Sequence, residues 1–295
     1  MSEIENKNYR DTVFRMLFNN KKELLSLYNA LNNTSYTNED DLIINTIGDS
    51  TFMKVKNDVS FIFNSQLNIF EHQSSPCPNM PLRDLFYVAK LLKKITNEED
   101  IYTNRVIKIP APRFFVFYNG TSPIEDRMIY KLSEQFETSV LEPELELIVT
   151  ALNINYGHNK ELMEACNTLK EYSLFVSAVR KYIKEIPKDV YDRNEAVSKE
   201  ISNAIDNCIS NGILSDFLII HRAKVQEASM WDYNEELHLK NVKKEGYEEG
   251  YGSGYDSASI DIYNKLISEG HSKSDAMRLT GVTEKQLLAN SDEKQ

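Results

Sequence analysis

The residues best suited to chemistry lie in one stretch, Asn57–Gln73, which holds Asp58, Glu71 and Gln73. Two runs rich in β-branched and aromatic residues, Asn57–Phe63 and Gln66–Gln73, flank Asn64-Ser65 and predict a β-hairpin with that pair at its tip. Phe63 then faces Gln66 and, counting outward, Asp58 faces Glu71, with Cβ atoms roughly 4.5–5.5 Å apart. Like charges placed directly opposite destabilise a sheet, so the pair asks for a compensating cation. A hard divalent ion with oxygen ligands, Mg²⁺ or Mn²⁺, is the natural one, because it keeps waters that can enter chemistry. Gln73 shares the face of Glu71, where it could orient a water or a phosphate oxygen, and His72 points the other way. The alternative is an acid pair on a solvated sheet face. Against it, both strands are apolar on both faces (Val59, Phe61, Phe63 and Phe70; Ile62, Leu67 and Ile69), as central strands are.

Other chemistries find no comparable support. The chain has no Gly-rich phosphate loop and no His-Glu-x-x-His pattern, and its 5 histidines are scattered. No local motif supports Ser-His-Asp catalysis. The cysteines, Cys77, Cys166 and Cys208, follow no metal-ligand spacing and suit a reducing cytoplasm. No long uncharged apolar run predicts a membrane partner, and residues 1–10 lack the apolar segment of a signal peptide. The net charge of −11 weighs against a nucleic-acid partner, but it is unevenly spread. Residues 1–120 hold 14 basic and 14 acidic side chains, leaving 20 basic and 31 acidic for the remainder. A neutral half can still present a basic face to phosphates, and a bound divalent ion adds positive charge there.

The elements that must position these residues follow from periodicity. Residues 8–32 predict a helix, with a strand-like stretch broken by Gly48 between Leu42 and Val55. After the hairpin, a Pro-containing loop leads into a helix at about Leu82–Ile95. Extended segments are expected at Val106–Ile109, Phe114–Tyr118 and Leu145–Asn155. Beyond residue 158 the pattern is helical: 159–183, 195–210 closed by Gly212, and Ile213–Leu239. Gly-Tyr then recurs at Gly246, Gly250 and Gly254, a glycine density that predicts a hinge or loose helical linker.

Asp58, Glu71-His72-Gln73 and Arg83-Asp84-Leu85-Phe86-Tyr87 together resemble the Rpn family of recombination-promoting nucleases and putative transposases, a branch of the PD-(D/E)XK superfamily. The resemblance extends through Asp11–Phe18, Ile109–Pro112, Phe117-Tyr118-Asn119-Gly120 and Asn153-Ile154-Asn155, covering roughly residues 8–240. It implies Mg²⁺-dependent DNA cleavage linked to recombination, mobile elements or phage defence. Asp58 and Glu71 match the metal-binding acids. Gln73 stands where the superfamily's usual motif has lysine, so more of the water's activation falls on the metal. Asp11 matches an acidic position of the family and is either an outer metal ligand or a helix N-terminal acid favoured by the dipole. Arg83 and Tyr87, at i and i+4, share a helix face and either clamp a phosphate or make a structural hydrogen bond.

The expected fold is α/β: a restriction-endonuclease-like mixed sheet flanked by helices, with an α-helical C-terminal extension. Its parts are a nuclease-like core over 1–157, a helical extension packed on the core over 158–240, a Gly-Tyr linker over 241–257 and a small helical tail over 258–295. Ser272 as an N-cap, Met277, Gly281, Val282 and Leu287 loosely follow helix-turn-helix spacing, but the tail is not basic, which favours a protein–protein contact or a homo-oligomer over DNA reading. The expected function is a metal-dependent DNA endonuclease. The alternative is a catalytically weak DNA- or protein-binding regulatory element of a mobile genetic system.

Overall fold

The computed structural model describes residues 12–45, 58–187, 189–284 and 287. Where periodicity predicted one N-terminal helix there are two, α1 (Val13–Phe18) and α2 (Lys21–Asn32). The break falls at Asn19-Asn20, because the Asn20 side chain accepts from the backbone N–H groups of Lys22 and Glu23 and starts a second helix. Strand β1 (Ile43–Ile44) is short; the rest of the extended stretch expected up to Val55, and Asp11, lie outside the described residues. The hairpin follows as β2 (Val59–Phe63) and β3 (Gln66–Gln73), then α3 (Met80–Ile95) and a single turn, α4 (Glu98–Ile101).

Val106–Ile109, expected as a strand, is not one. The extended run begins instead at β4 (Ala111–Tyr118), which pairs in parallel with β3 along its whole length. Pro112 is tolerated there because the partner on the other side of β4 joins only from Phe115 onward. Strands β5 (Arg127–Lys131) and β6 (Ile148–Asn153) complete a six-stranded sheet of order β1-β2-β3-β4-β6-β5. Pairs β3/β4 and β4/β6 are parallel and the other three antiparallel, so the protein is mixed α/β. Helices α5 (Lys160–Ala165), α6 (Asn167–Lys184) and α7 (Arg193–Ser210) come next.

The sheet is covered on both faces. On one, α3 lays Met80, Val88 and Leu91 against Leu67, Ile69, Val116, Val149 and Ala151. On the other, aromatic rings interlock: Phe70 sits 5.1 Å from Phe61 and 5.3 Å from Phe117, and Phe14 of α1 packs 5.2 Å from Phe117 and 5.7 Å from Tyr172 of α6. Strand β3 is therefore buried from both sides, as its apolar alternation on both faces predicted.

The backbone from Ser215 to Ser268 is helical (α8), with non-helical angles inside it at His221 (φ −110°, ψ 15°). The segment 241–257, expected as a linker, is thus helical in its backbone. Each glycine costs about 1 kcal/mol against alanine, and the Glu and Lys residues interleaved at 243–249 are good helix formers. The chain divides into two compact units, Met1–Asp232 and Tyr233–Gln295. In the second, the end of α8 and α9 (Lys273–Thr280) enclose Ile260, Tyr263, Ala276 and Val282. Ser272 caps α9 by accepting from Asp275 N–H at 3.1 Å, and Gly281 ends it in the left-handed region (φ 72°). Among the described residues no helix is long and apolar enough to cross a membrane.

The exits of β3 and β4 approach so closely that Gly120 has no room for a side chain: a Cβ there would lie 1.8 Å from Ser74 O. A backbone atom cannot rotate away. Gly120→Ala is expected to lower stability by ~2–4 kcal/mol, read as a lower urea midpoint with an unchanged slope.

Candidate active site

The hairpin register is the expected one. Val59 pairs with Phe70 and Phe63 with Gln66, so the next positions outward are Asp58 and Glu71. Their contacts cross the open end of the hairpin: Asp58 N–H donates to Glu71 Oε1 at 3.3 Å, and Asp58 Oδ2 accepts from His72 N–H at 2.7 Å. Glu71 points under α3 and is only 4% exposed; Asp58 is half-buried. Burial raises the Glu71 carboxyl well above the usual carboxylate range, and the charges of Asp58 and Asp84 push it further, against the pull of Arg83.

Arg83 comes from the first turn of α3, which Pro81 helps to start. Its Nη2 lies 3.7 Å from Glu71 Oε2 and donates to the Tyr87 hydroxyl at 3.1 Å. With its amide oriented so that both ends are paired, Gln73 accepts from Arg83 Nη1 at 3.0 Å and donates to Ser75 O at 3.3 Å. One guanidinium thus ties β3, the loop after it and α3 together. The Arg83–Tyr87 pair, read from sequence as a phosphate clamp or a structural hydrogen bond, makes the hydrogen bond. Burial and the charge of Glu71 push the Tyr87 hydroxyl up to about 12, so it stays protonated. The Arg83 side chain remains 43% exposed, which leaves its outer edge open to a solute anion.

Asp84 is the residue that the sequence reading did not single out. It is 1% exposed, its Oδ1 has no hydrogen-bond partner, and burial pushes its carboxyl up to about 8 against the pull of Arg83. The signal was present: Met80, Asp84, Tyr87, Val88 and Leu91 form the buried stripe of α3, and an acid in such a stripe breaks the apolar pattern.

His72 faces the opposite side, as alternation requires. Its ring stacks on Phe14 at 4.9 Å and its Nε2 meets the Tyr172 hydroxyl at 2.8 Å, while that hydroxyl accepts from Asn119 Nδ2 at 2.9 Å. Burial, helped by Arg180, drives the His72 pKa down to about 3, so it is a neutral packing group.

Asp58, Glu71, Gln73 and Arg83 are therefore brought together, Tyr87 is joined through Arg83, and Asp11 lies outside the described residues. Among the described residues no three of His, Cys, Asp and Glu form a metal-holding group. The pair Asp58 and Glu71 nonetheless suits a hard divalent cation: both donors are carboxylate oxygens, they crowd one another where the hairpin opens, and the buried Asp84 is close enough to raise the Glu71 carboxyl further. No family model, no curated protein and no solved structure matches this chain.

The raised Asp84 carboxyl has a consequence for stability in metal-free buffer. The unfolded chain releases this proton near pH 4 while the folded chain holds it to about 8, so stability falls as pH rises through that window. Asp84→Asn removes this loss and is expected to be the more stable protein at pH 8, by an amount on the order of a few kcal/mol, in EDTA-buffered urea melts. Equal stabilities at pH 5 and pH 8 in the parent would show that Asp84 is not held neutral.

Proposed function

We propose that this chain is a metal-dependent endodeoxyribonuclease that hydrolyses phosphodiester bonds in DNA with Mg²⁺ or Mn²⁺. The observation that carries the reading is the buried Glu71 carboxyl facing Asp58 across the hairpin, with Gln73 and Arg83 on the same side of the sheet. The order of elements supports a restriction-endonuclease-like core: helices, a hairpin with a central β3, then a helix leading into the parallel β4. The resemblance to the Rpn nucleases adds recombination, mobile elements or phage defence as the setting.

Asp58 and Glu71 would hold the ion through their oxygens. Bound there, it would supply an activated water near neutral pH and offset charge building on the scissile phosphate. Gln73 can orient a water by its amide but cannot take its proton. Arg83, already positioned by Tyr87 and Gln73, presents its exposed edge for a charge-assisted hydrogen bond to a phosphate oxygen. Tyr87, buried and protonated, holds the guanidinium rather than the substrate.

A second reading, a catalytically weak element that binds DNA or a protein partner, has one observation in its favour. Arg83 already sets a positive charge 3.7 Å from Glu71, which partly offsets the acid pair without a metal.

Plasmid cleavage separates the two. The parent should nick or linearise plasmid with Mg²⁺ and stop in EDTA. Asp58→Asn and Glu71→Gln should each slow cleavage by roughly 10²–10³-fold, with circular dichroism unchanged. Gln73→Ala should lose less, on the order of tenfold, because an outer group only orients what the ion holds. Asp58→Asn cutting as fast as the parent would refute the site, and a parent that shifts DNA on a gel without cutting it would establish the second reading.

A further inference from the structure

Three carboxyl groups, Asp58, Glu71 and Asp84, lie close together where the hairpin opens, with Arg83 3.7 Å from Glu71. Two of them have evident local roles. Asp58 and Glu71 bind the backbone across the hairpin, and Glu71 also meets Arg83. Asp84 is different. It is almost wholly buried on α3, and its Oδ1 accepts no hydrogen bond among the described residues. An acceptor buried without a donor is costly, and native proteins hold few of them. The neighbouring buried positions Met80, Val88 and Leu91 pack as apolar side chains into the cluster under the sheet. What Asp84 adds is a buried carboxyl beside Glu71, with an acceptor oxygen that has no donor among the described residues.

We propose that Asp84 is a positioning residue of the divalent-cation site: it lies beyond Asp58 and Glu71 and its Oδ1 takes a hydrogen bond from a water of the ion's hydration shell. The inference rests on the cation reading given above and extends it to a residue which that reading does not use. Asp84 is placed outside direct coordination because, among the described residues, no three acids, histidines or cysteines form a ligand group. A hydrated ion supplies the missing donor, since Mg²⁺ gives up its waters reluctantly and usually keeps several. Carboxylates one step removed from a metal typically change its affinity by 10–100-fold.

The test is Mn²⁺ binding to the full chain, followed by electron paramagnetic resonance of the free ion and by calorimetry, for the parent, Asp58→Asn, Asp84→Asn and Asp84→Leu. The parent should bind and Asp58→Asn should not. Both Asp84 variants should bind about tenfold or more weakly, while keeping the parent's circular dichroism and a metal-free unfolding midpoint no lower than the parent's. The rise in that midpoint on adding Mn²⁺ should shrink in step, because ligand stabilisation follows affinity. A merely structural Asp84 would give variants with a lower metal-free midpoint and an unchanged affinity. Affinities of both Asp84 variants within about twofold of the parent, with Asp58→Asn still unable to bind, would overturn the role of Asp84 and leave the cation site standing. A parent that binds no Mn²⁺ would overturn the cation site and Asp84's place in it together.

Discussion

Asn64 and Ser65 both lie in the left-handed region, with φ of 48° and 58°, and this two-residue turn is the constraint on which the candidate site depends. Tight hairpins favour such turns because their twist matches that of the strands they join, and asparagine tolerates the conformation better than most residues. The turn sets the register of β2 against β3. A slip of one residue would send every side chain of one strand to the opposite face. Glu71 and Gln73 would then meet the aromatic layer of Phe14 and Phe117, and His72 would lie beneath α3. The apolar pattern reinforces the turn, since Leu67 and Ile69 fit the α3 cluster and Phe70 fits among Phe61 and Phe117.

From that register follows an unequal division of polar groups between the two faces. The α3 face holds the charge: three carboxyls, one guanidinium and a tyrosine that steadies it. The opposite face holds a neutral network, in which Asn119 donates to Tyr172 and Tyr172 meets a His72 that burial keeps uncharged. The network also ties α6 to the sheet, so residues far along the chain brace the strand that carries Glu71.

The carboxyl ends of the parallel strands lie at the same edge of the sheet as Glu71 and Gln73, the edge where open α/β sheets usually hold ligands. Here that edge is rigid. Asn119 N–H donates to Gln73 O at 3.0 Å, Ile154 N–H to Tyr118 O at 2.8 Å, and Asn155 Nδ2 to Gly120 O at 3.0 Å. The run Tyr118-Asn119-Gly120 and the run Asn153-Ile154-Asn155 are therefore the scaffold of the edge, with Gly120 required by the backbone pressed against it. The candidate site residues lie on β3, on α3 and just before β2.

Much of this was legible residue by residue. Alternation and turn preference act over a few positions, so the bounds of β3, the pairing of Phe63 with Gln66 and the approach of Asp58 to Glu71 could be read directly. Helix α3 was legible in the same way, and so was the Ser272 cap. Long-range features were not. Strand β5 alternates exposed and half-exposed residues at the sheet edge and leaves little apolar signal, so Arg127–Lys131 gave no warning of a strand. The helical backbone through Gly246, Gly250 and Gly254 runs against local propensity. The sequence by itself determined which acids face one another, because that depends on a period of two and a two-residue turn. Only the tertiary structure decided that Arg83 joins Glu71, Gln73 and Tyr87, and that Asp84 is buried beside them without a donor. Those contacts form where α3 folds back over β3, and their strength comes from the water that this packing excludes.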